Sequence, residues 1–189
     1  MITPQEKLLN AVKFFAANTE KCGKTKLMKL LYFLDFEHFK QTGKPVTNNL
    51  YYAWENGPVN RQVYDSITDD YISSEFSEHI SIKTIKCKDG RKFLKIIPES
   101  KINESVFTER ELSLLKELSK EFKTENTQEM IEKTHLPNMP WEKTLNEKGQ
   151  NGLIDYKLAL DGSKDSISIE EYEEQKTIND EMEKLLSIL

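Results

Sequence analysis

A mainly helical α+β fold with one β-hairpin is what this chain predicts. Apolar residues recur at helical spacing over most of the length, and capping boxes head several of those stretches. One β-branched region, at about residues 80–97, surrounds an Asp89-Gly90 pair. The expected architecture is a compact helical domain carrying that hairpin, with room for one or two further short strands.

Taken in order, Thr3-Pro4-Gln5-Glu6 is a capping box with proline at the first helical position, and Leu8, Leu9, Val12, Phe15 and Ala16 follow on one face. The stretch "KTKLMKLLYFLDFEHFKQTG" predicts a second helix with Leu27, Leu30, Leu31 and Leu34 on one face and Tyr32 and Phe33 widening it. Such a helix is apolar over more than half its girth and belongs at the centre. Gly43 stands where a left-handed cap is needed, and Pro45 follows. Residues 46–56 read as extended. Gly57-Pro58 is expected to open a third helix with Val59, Val63 and Ile67 in register. The hairpin, "ISIKTIKCKDGRKFLKII", is expected to turn at Asp89-Gly90, with a bulge or one-residue register shift because its alternation is imperfect. Thr108-Glu109-Arg110-Glu111 caps a helix bearing Leu112, Leu115, Leu118 and Phe122. Residues 127–134 form a short helix, "HLPNMPW" a loop, Pro140 the start of another helix, and "LIDYKLAL" a short amphipathic piece. Ser168-Ile169-Glu170-Glu171 caps a last helix running towards Leu189. No repeat of 20 to 50 residues is present.

The composition narrows the class. At 189 residues, 37% apolar and 31% charged, the chain can bury a core without a metal or disulfide. Net charge is -5, which argues against general affinity for nucleic acid or an anionic membrane. Cys22 and Cys87 have no metal-ligand spacing and read as free thiols in a reducing compartment. The start, "MITPQEKLLN", lacks the apolar stretch of a signal peptide, and no segment reaches the roughly 18 apolar residues of a membrane span. A cytoplasmic location is expected.

Residues 51–59, "YYAWENGPV", pose the functional question, because they are rich in aromatics and carry no nucleophile. In an extended segment Tyr52 and Trp54 share one face, and Tyr51 shares the other with Ala53. Either Trp54 anchors the core beside a rigid Pro58 turn, or the aromatics face a partner. Lys21, Lys24, Lys26 and Lys29 cluster at the start of the second helix and read as a solvated face; contact with something acidic is the alternative. His38, His79 and His135 are scattered without carboxylate or cysteine spacing, so no metal is expected. No nucleophile elbow or phosphate-cradling glycine loop is visible, so neither catalytic residues nor a cofactor is expected.

Three ordered segments carry a resemblance. "KLMKLLYFLDFEHFKQTGKPVTNNLYYAWENGPVNRQVYDSI" resembles the signature of the Panacea domain family, also called SocA-like: a K-L-L-Y helix, T-G-K-P, an extended segment and a G-P-V turn. "LSKEFKTENTQEMIEKTHLPNMPWEKT" is similar to its second block, a short helix ending in Thr-His before a Pro-Trp segment, though the loop after His135 is longer and less acidic than the resemblance implies. "GLIDYKLAL" is similar to the element that follows. Lys29, Leu30, Tyr32, Gly43, Pro45, Gly57, Pro58, His135 and Trp141 are the residues that carry this frame. The resemblance implies an antitoxin of a bacterial, phage or prophage toxin–antitoxin system. It also implies a protein partner, the toxin, and no catalytic role.

Beyond residue 164 the charge changes. Residues 165–189 hold eight acidic residues and two lysines, or -6, which leaves about +1 for residues 1–164. Ile169, Tyr172, Ile178, Met182, Leu185 and Leu186 give the segment an apolar stripe. The expected organisation is therefore a Panacea-like domain over 1–164 and an acidic amphipathic helix over 165–189, packed on the domain or on a partner. The expected partner site combines Tyr51, Tyr52 and Trp54, then Asn60, Arg61 and Tyr64, and finally Glu170, Glu173 and Glu174 of the tail. Neutralisation by occlusion is the leading expectation. The alternatives are an adaptor that delivers the toxin to a protease or unfoldase, and a nucleic-acid-binding regulator using the lysine cluster. A hydrolase fits least.

Overall fold

In the second predicted helix, here α2 (Lys24–Thr42), every residue from Lys26 to Phe36 is buried, including Lys26, Lys29 and Asp35. A helix with no wet face must be covered on all sides, and the rest of the chain does that. The computed structural model describes residues 2–68, 71–86, 92–136 and 138–186. Among them are eight α-helices and five short strands in two antiparallel sheets, so the fold is α+β and mainly α.

Helix α1 (Pro4–Asn18) packs on α2 through Leu8, Ala11, Val12 and Phe15. Its box is closed: Glu6 N–H donates to Thr3 Oγ1 at 3.2 Å and Thr3 N–H to Glu6 Oε2 at 2.7 Å. Helix α2 ends at Gly43, whose φ of +72° is the left-handed cap expected of it, and Gly43 N–H donates to Phe39 O at 2.7 Å.

The segment after α2 departs from expectation. Gly57-Pro58 does not open a helix. Strands β1 (Tyr51–Trp54) and β2 (Gly57–Asn60) form a tight hairpin around Glu55-Asn56, with Trp54 paired to Gly57 and Ala53 to Pro58. Pro58 is tolerated because β2 is an edge strand of a sheet ordered β2-β1-β5, where β5 is Gly152–Leu153. Helix α3 (Arg61–Ser66) starts three residues later than predicted, with Asn60 Oδ1 accepting from Val63 N–H at 3.2 Å.

After the single-turn α4 (Ser74–Ser77), strands β3 (Ile80–Lys86) and β4 (Lys92–Pro98) form the predicted hairpin. Lys86 pairs with Lys92, whereas a two-residue Asp89-Gly90 turn would pair Lys86 with Phe93. The register is thus shifted by one residue from that turn, and Asp89 and Gly90 themselves lie outside the described residues. Ile80 and Ile96 are the buried contacts of this hairpin, and Ile96 N–H donates to Cys22 O at 3.0 Å, tying it to the α1–α2 connection. Burial pushes the Cys22 thiol up to about 11. Cys87 lies outside the described residues.

Helix α5 (Glu109–Glu121) covers another side of α2 with Leu114, Leu115 and Leu118. Glu111 serves twice: Thr108 N–H donates to its Oε2 at 2.8 Å, and Lys7 Nζ on α1 approaches its Oε1 to 2.6 Å. Strand β2, helix α6 (Thr127–Thr134) and a 3-10 turn at Tyr156–Ala159 close the remaining sides, and α7 (Pro140–Lys148) packs outside them on β1, β5 and that turn. The last helix, α8 (Ile169–Leu186), begins with the predicted box: Glu171 N–H donates to Ser168 Oγ at 3.0 Å and Ser168 N–H to Glu171 Oε2 at 2.7 Å.

Because Glu111 both completes a capping box and pairs across helices, Glu111→Ala should cost about 1–2 kcal/mol in urea unfolding. Glu109→Ala, an exposed change on the same first turn, should stay within about 0.5 kcal/mol.

Candidate partner-binding site

Burying α2 buries its charges, and these position everything near the aromatic stretch. Lys29 is 1% exposed and its Nζ donates to Pro58 O at 3.2 Å. A Cβ at Gly57 would lie 2.3 Å from that Nζ and 2.9 Å from Thr134 Oγ1, and Gly57 holds φ at +100°. Only glycine meets both demands. Desolvation lowers the Lys29 pKa to about 7. The His135 imidazole, lowered by burial and then by Lys29, stacks on Trp141 with ring centroids 3.8 Å apart. Trp141 Nε1 donates to Trp54 O at 2.9 Å. Lys29, Gly57-Pro58, Thr134-His135 and Trp141, far apart in sequence, therefore meet at one corner. Leu30 and Tyr32 are buried core beside it, and Pro45 is half-buried just past the Gly43 cap.

Six residues further along α2, Asp35 holds the other end of the same segment. Its carboxylate accepts from Thr47 N–H at 2.7 Å, from Thr47 Oγ1, and from Tyr51 OH at 2.8 Å. Tyr156 OH donates to Asn49 O at 2.6 Å beside it. Burial raises the carboxyl's pKa although hydrogen bonds from Thr47 and Tyr51 oppose the rise. Sequence reasoning missed this network; its signal was an acid in the middle of the apolar run "LLYFLDF".

The expected partner residues now divide. Tyr51 and Ala53 face the core, while Tyr52 and Trp54 are half-buried on the other face, as the alternation predicts. Tyr51 is therefore the core anchor in place of Trp54, and it is interior, not partner-facing. Asn60 is likewise wholly buried, because its side chain caps α3. Tyr52, Trp54, Arg61 and Tyr64 do come together near the surface. The Trp54 and Tyr64 rings meet edge-to-face at 4.7 Å, and the Arg61 guanidinium stands 5.5 Å from the Tyr52 ring.

The lysine cluster is not the solvated face it was read as. Lys26 donates to Glu20 O, Lys123 O and Glu125 O at 2.8–3.2 Å, its stem covered and its amine reaching carbonyls just past α5. Lys24 lies 3.4 Å over the Tyr64 ring, so of the four only Lys21 is exposed.

The tail residues lie elsewhere. Tyr172 packs on Phe39 at 5.2 Å, and Lys157 Nζ pairs with Glu173 at 2.6 Å. This docks the start of α8 at the far end of α2, about 20 Å along that helix from Lys24. Glu170 and Glu174 are exposed, and so are Ile178, Met182 and Leu185, at 54–65%.

His38 Nδ1 lies 2.6 Å from Lys44 O, and His79 contacts Ser100 at 3.4 Å. Among the described residues, no group of three or more histidine, cysteine, aspartate or glutamate side chains could hold a metal. No described helix is long and apolar enough to cross a membrane.

A buried lysine-proline corner and a Thr-His/Pro-Trp lock thus belong to the interior of the domain, and an acidic helix lies exposed at its end. The family described as "Antitoxin SocA-like, Panacea domain" matches residues 27–142, more than half of the chain, and the chain belongs to that family. No curated protein and no solved structure matches it.

Two measurements test the corner. Gly57→Ala should cost more than about 2 kcal/mol, through strain at positive φ and the clash with Lys29. Lys29, with its folded value depressed from 10.5 to about 7, contributes stability that is fully present above 10.5 and is lost as pH falls to about 7. Between pH 7 and 9.5 the parent should therefore gain on Lys29→Met by up to about 1.4 kcal/mol per pH unit. A pH-independent gap between the two would contradict this burial.

Proposed function

We propose that this protein is an antitoxin that binds a cognate toxin and neutralises it by occlusion, without covalent change. Membership of an antitoxin family supports a toxin as partner and a non-enzymatic role. The single observation that carries the binding mode is α8. It is fastened to the body near its start by Tyr172, and beyond that it exposes an apolar stripe of Ile178, Met182 and Leu185 at i, i+4 and i+7 beside its acids. A helix of this kind stabilises a complex by laying the stripe into a groove, while its charge speeds encounter with a basic partner. Residues 165–189 thus act as a contacting arm on the domain formed by residues 1–164. The patch of Tyr52, Trp54, Arg61 and Tyr64 supplies a second, aromatic contact.

Removing residues 165–189 should abolish or strongly weaken neutralisation in cells and flatten the salt dependence of binding in vitro. Tyr52→Ala should weaken binding by about 2 kcal/mol with the unfolding midpoint little changed. Toxin abundance should be the same with and without the protein, because occlusion leaves the toxin intact. Unchanged neutralisation by the truncated protein would contradict the proposal, and a shortened toxin lifetime would favour delivery to a protease.

A further inference from the structure

A third surface is built differently from α8 and from the aromatic patch. Between α2, α5 and the α6–α7 connection runs an open groove of about 430 Å³. Its floor is apolar: Phe33 and Phe122 stack with centroids 5.1 Å apart, and Leu114, Leu118, Met139 and Leu136 continue it. Leu136 is 53% exposed, a large apolar side chain left at the open edge. The rim is acidic, with Glu37, Glu117 and Glu121. Lys133, the rim's cation, is already held by Glu121 at 3.2 Å and Glu125 at 3.0 Å.

Glu37 is the informative residue. It is half-buried, it lines this groove and the smaller adjoining cavity, and among the described residues its carboxylate makes no hydrogen bond or ion pair. Desolvation raises its pKa; Lys40, the nearby cation that opposes this, is engaged by Asp161 at 2.7 Å. A carboxylate partly stripped of water without a partner is costly, and a cation arriving from outside would offset that cost. The chain's own tail does not suit the groove, because residues 165–189 carry -6 and would set acid against acid; the same holds for the tail of a second copy. An apolar floor under an acidic rim selects an amphipathic segment carrying lysine or arginine.

We propose that this groove seats a basic, amphipathic segment of the cognate toxin, with an apolar side chain against Phe33, Phe122 and Leu136 and a cationic side chain on Glu37. The proposal rests on the antitoxin reading for the identity of the partner, while the chemistry of the segment comes from the groove itself. It gives the toxin a third contact, apart from α8 and the aromatic patch.

The test uses the full chain and two labelled 15-residue helical peptides. Both have leucines at i, i+3, i+4 and i+7; one carries lysines on its remaining face and the other glutamates. The lysine peptide should bind at least about tenfold more tightly than the glutamate peptide. Glu37→Gln, which removes a desolvated charge and should not harm the fold, and Leu136→Ser, at an exposed site, should each weaken lysine-peptide binding by about fivefold or more. Deleting residues 165–189 should leave that binding unchanged. Equal binding of the two peptides, or parent-like binding by both groove variants, would overturn the proposal. In cells, co-expression with the product of the adjacent gene separates the two claims. If the parent protects and both groove variants protect equally, the groove assignment fails while the antitoxin reading stands. If the parent does not protect although the lysine peptide still discriminates, the toxin is wrong as the occupant and the antitoxin reading fails with it.

Discussion

The fold depends on enclosing a helix that carries ionisable side chains in its buried middle. Lys26, Lys29 and Asp35 lie on a stretch of α2 that water does not reach. Each is tolerated only because another part of the chain supplies its polar partner. Lys26 takes carbonyls just beyond α5, Lys29 takes the carbonyl of Pro58, and Asp35 takes Thr47 and Tyr51. These needs draw the loop after α2 and the first hairpin onto the helix. They also explain why a glycine must stand at position 57, where the Lys29 amine passes.

Much of the recognisable sequence frame is used up in this interior. Lys29, Gly57, Pro58, His135 and Trp141 build a corner and present little to a partner. The candidate binding surfaces are what the enclosure leaves over: α8 standing off one end, the Tyr52–Trp54–Arg61–Tyr64 patch at the other, and the acid-rimmed groove along a flank. Two of them, α8 and the groove, share one chemistry, apolar contact beside crowded or unpaired negative charge, whereas the aromatic patch carries the cations Arg61 and Lys24. A basic partner is therefore the one such a surface would favour, and the proposed occlusion follows from shape and charge without any reacting group.

Much of this was legible in the sequence, and the failures have physical causes. Helix positions, the boxes at Thr3, Thr108 and Ser168, the Gly43 cap and the second hairpin follow from local rules, because side-chain periodicity and capping act within a few residues. Gly57-Pro58 was misread because a Gly-Pro pair suits a helix start as well as an edge strand, and only the pairing with Ala53 and Trp54 decides. The lysine cluster was misread because lysine is so seldom fully buried; nothing local reveals carbonyls that arrive from residues 58 and 123–125. For the same reason alternation separated Tyr51 from Tyr52 correctly but could not say which of the two faces was interior. The groove is invisible in sequence, since its walls come from three separate helices and a loop.

The central claim is that the protein acts by stoichiometric grip. The most direct measurement titrates purified protein against a fixed amount of its toxin and follows residual toxin activity, with the toxin's intact mass taken at each point. The account predicts that inhibition stops growing at a fixed molar ratio, does not deepen with time, leaves the mass unchanged, and is undone when the complex is dissociated in denaturant and the toxin refolded. Progressive inactivation by substoichiometric protein, with an altered toxin mass, would contradict it.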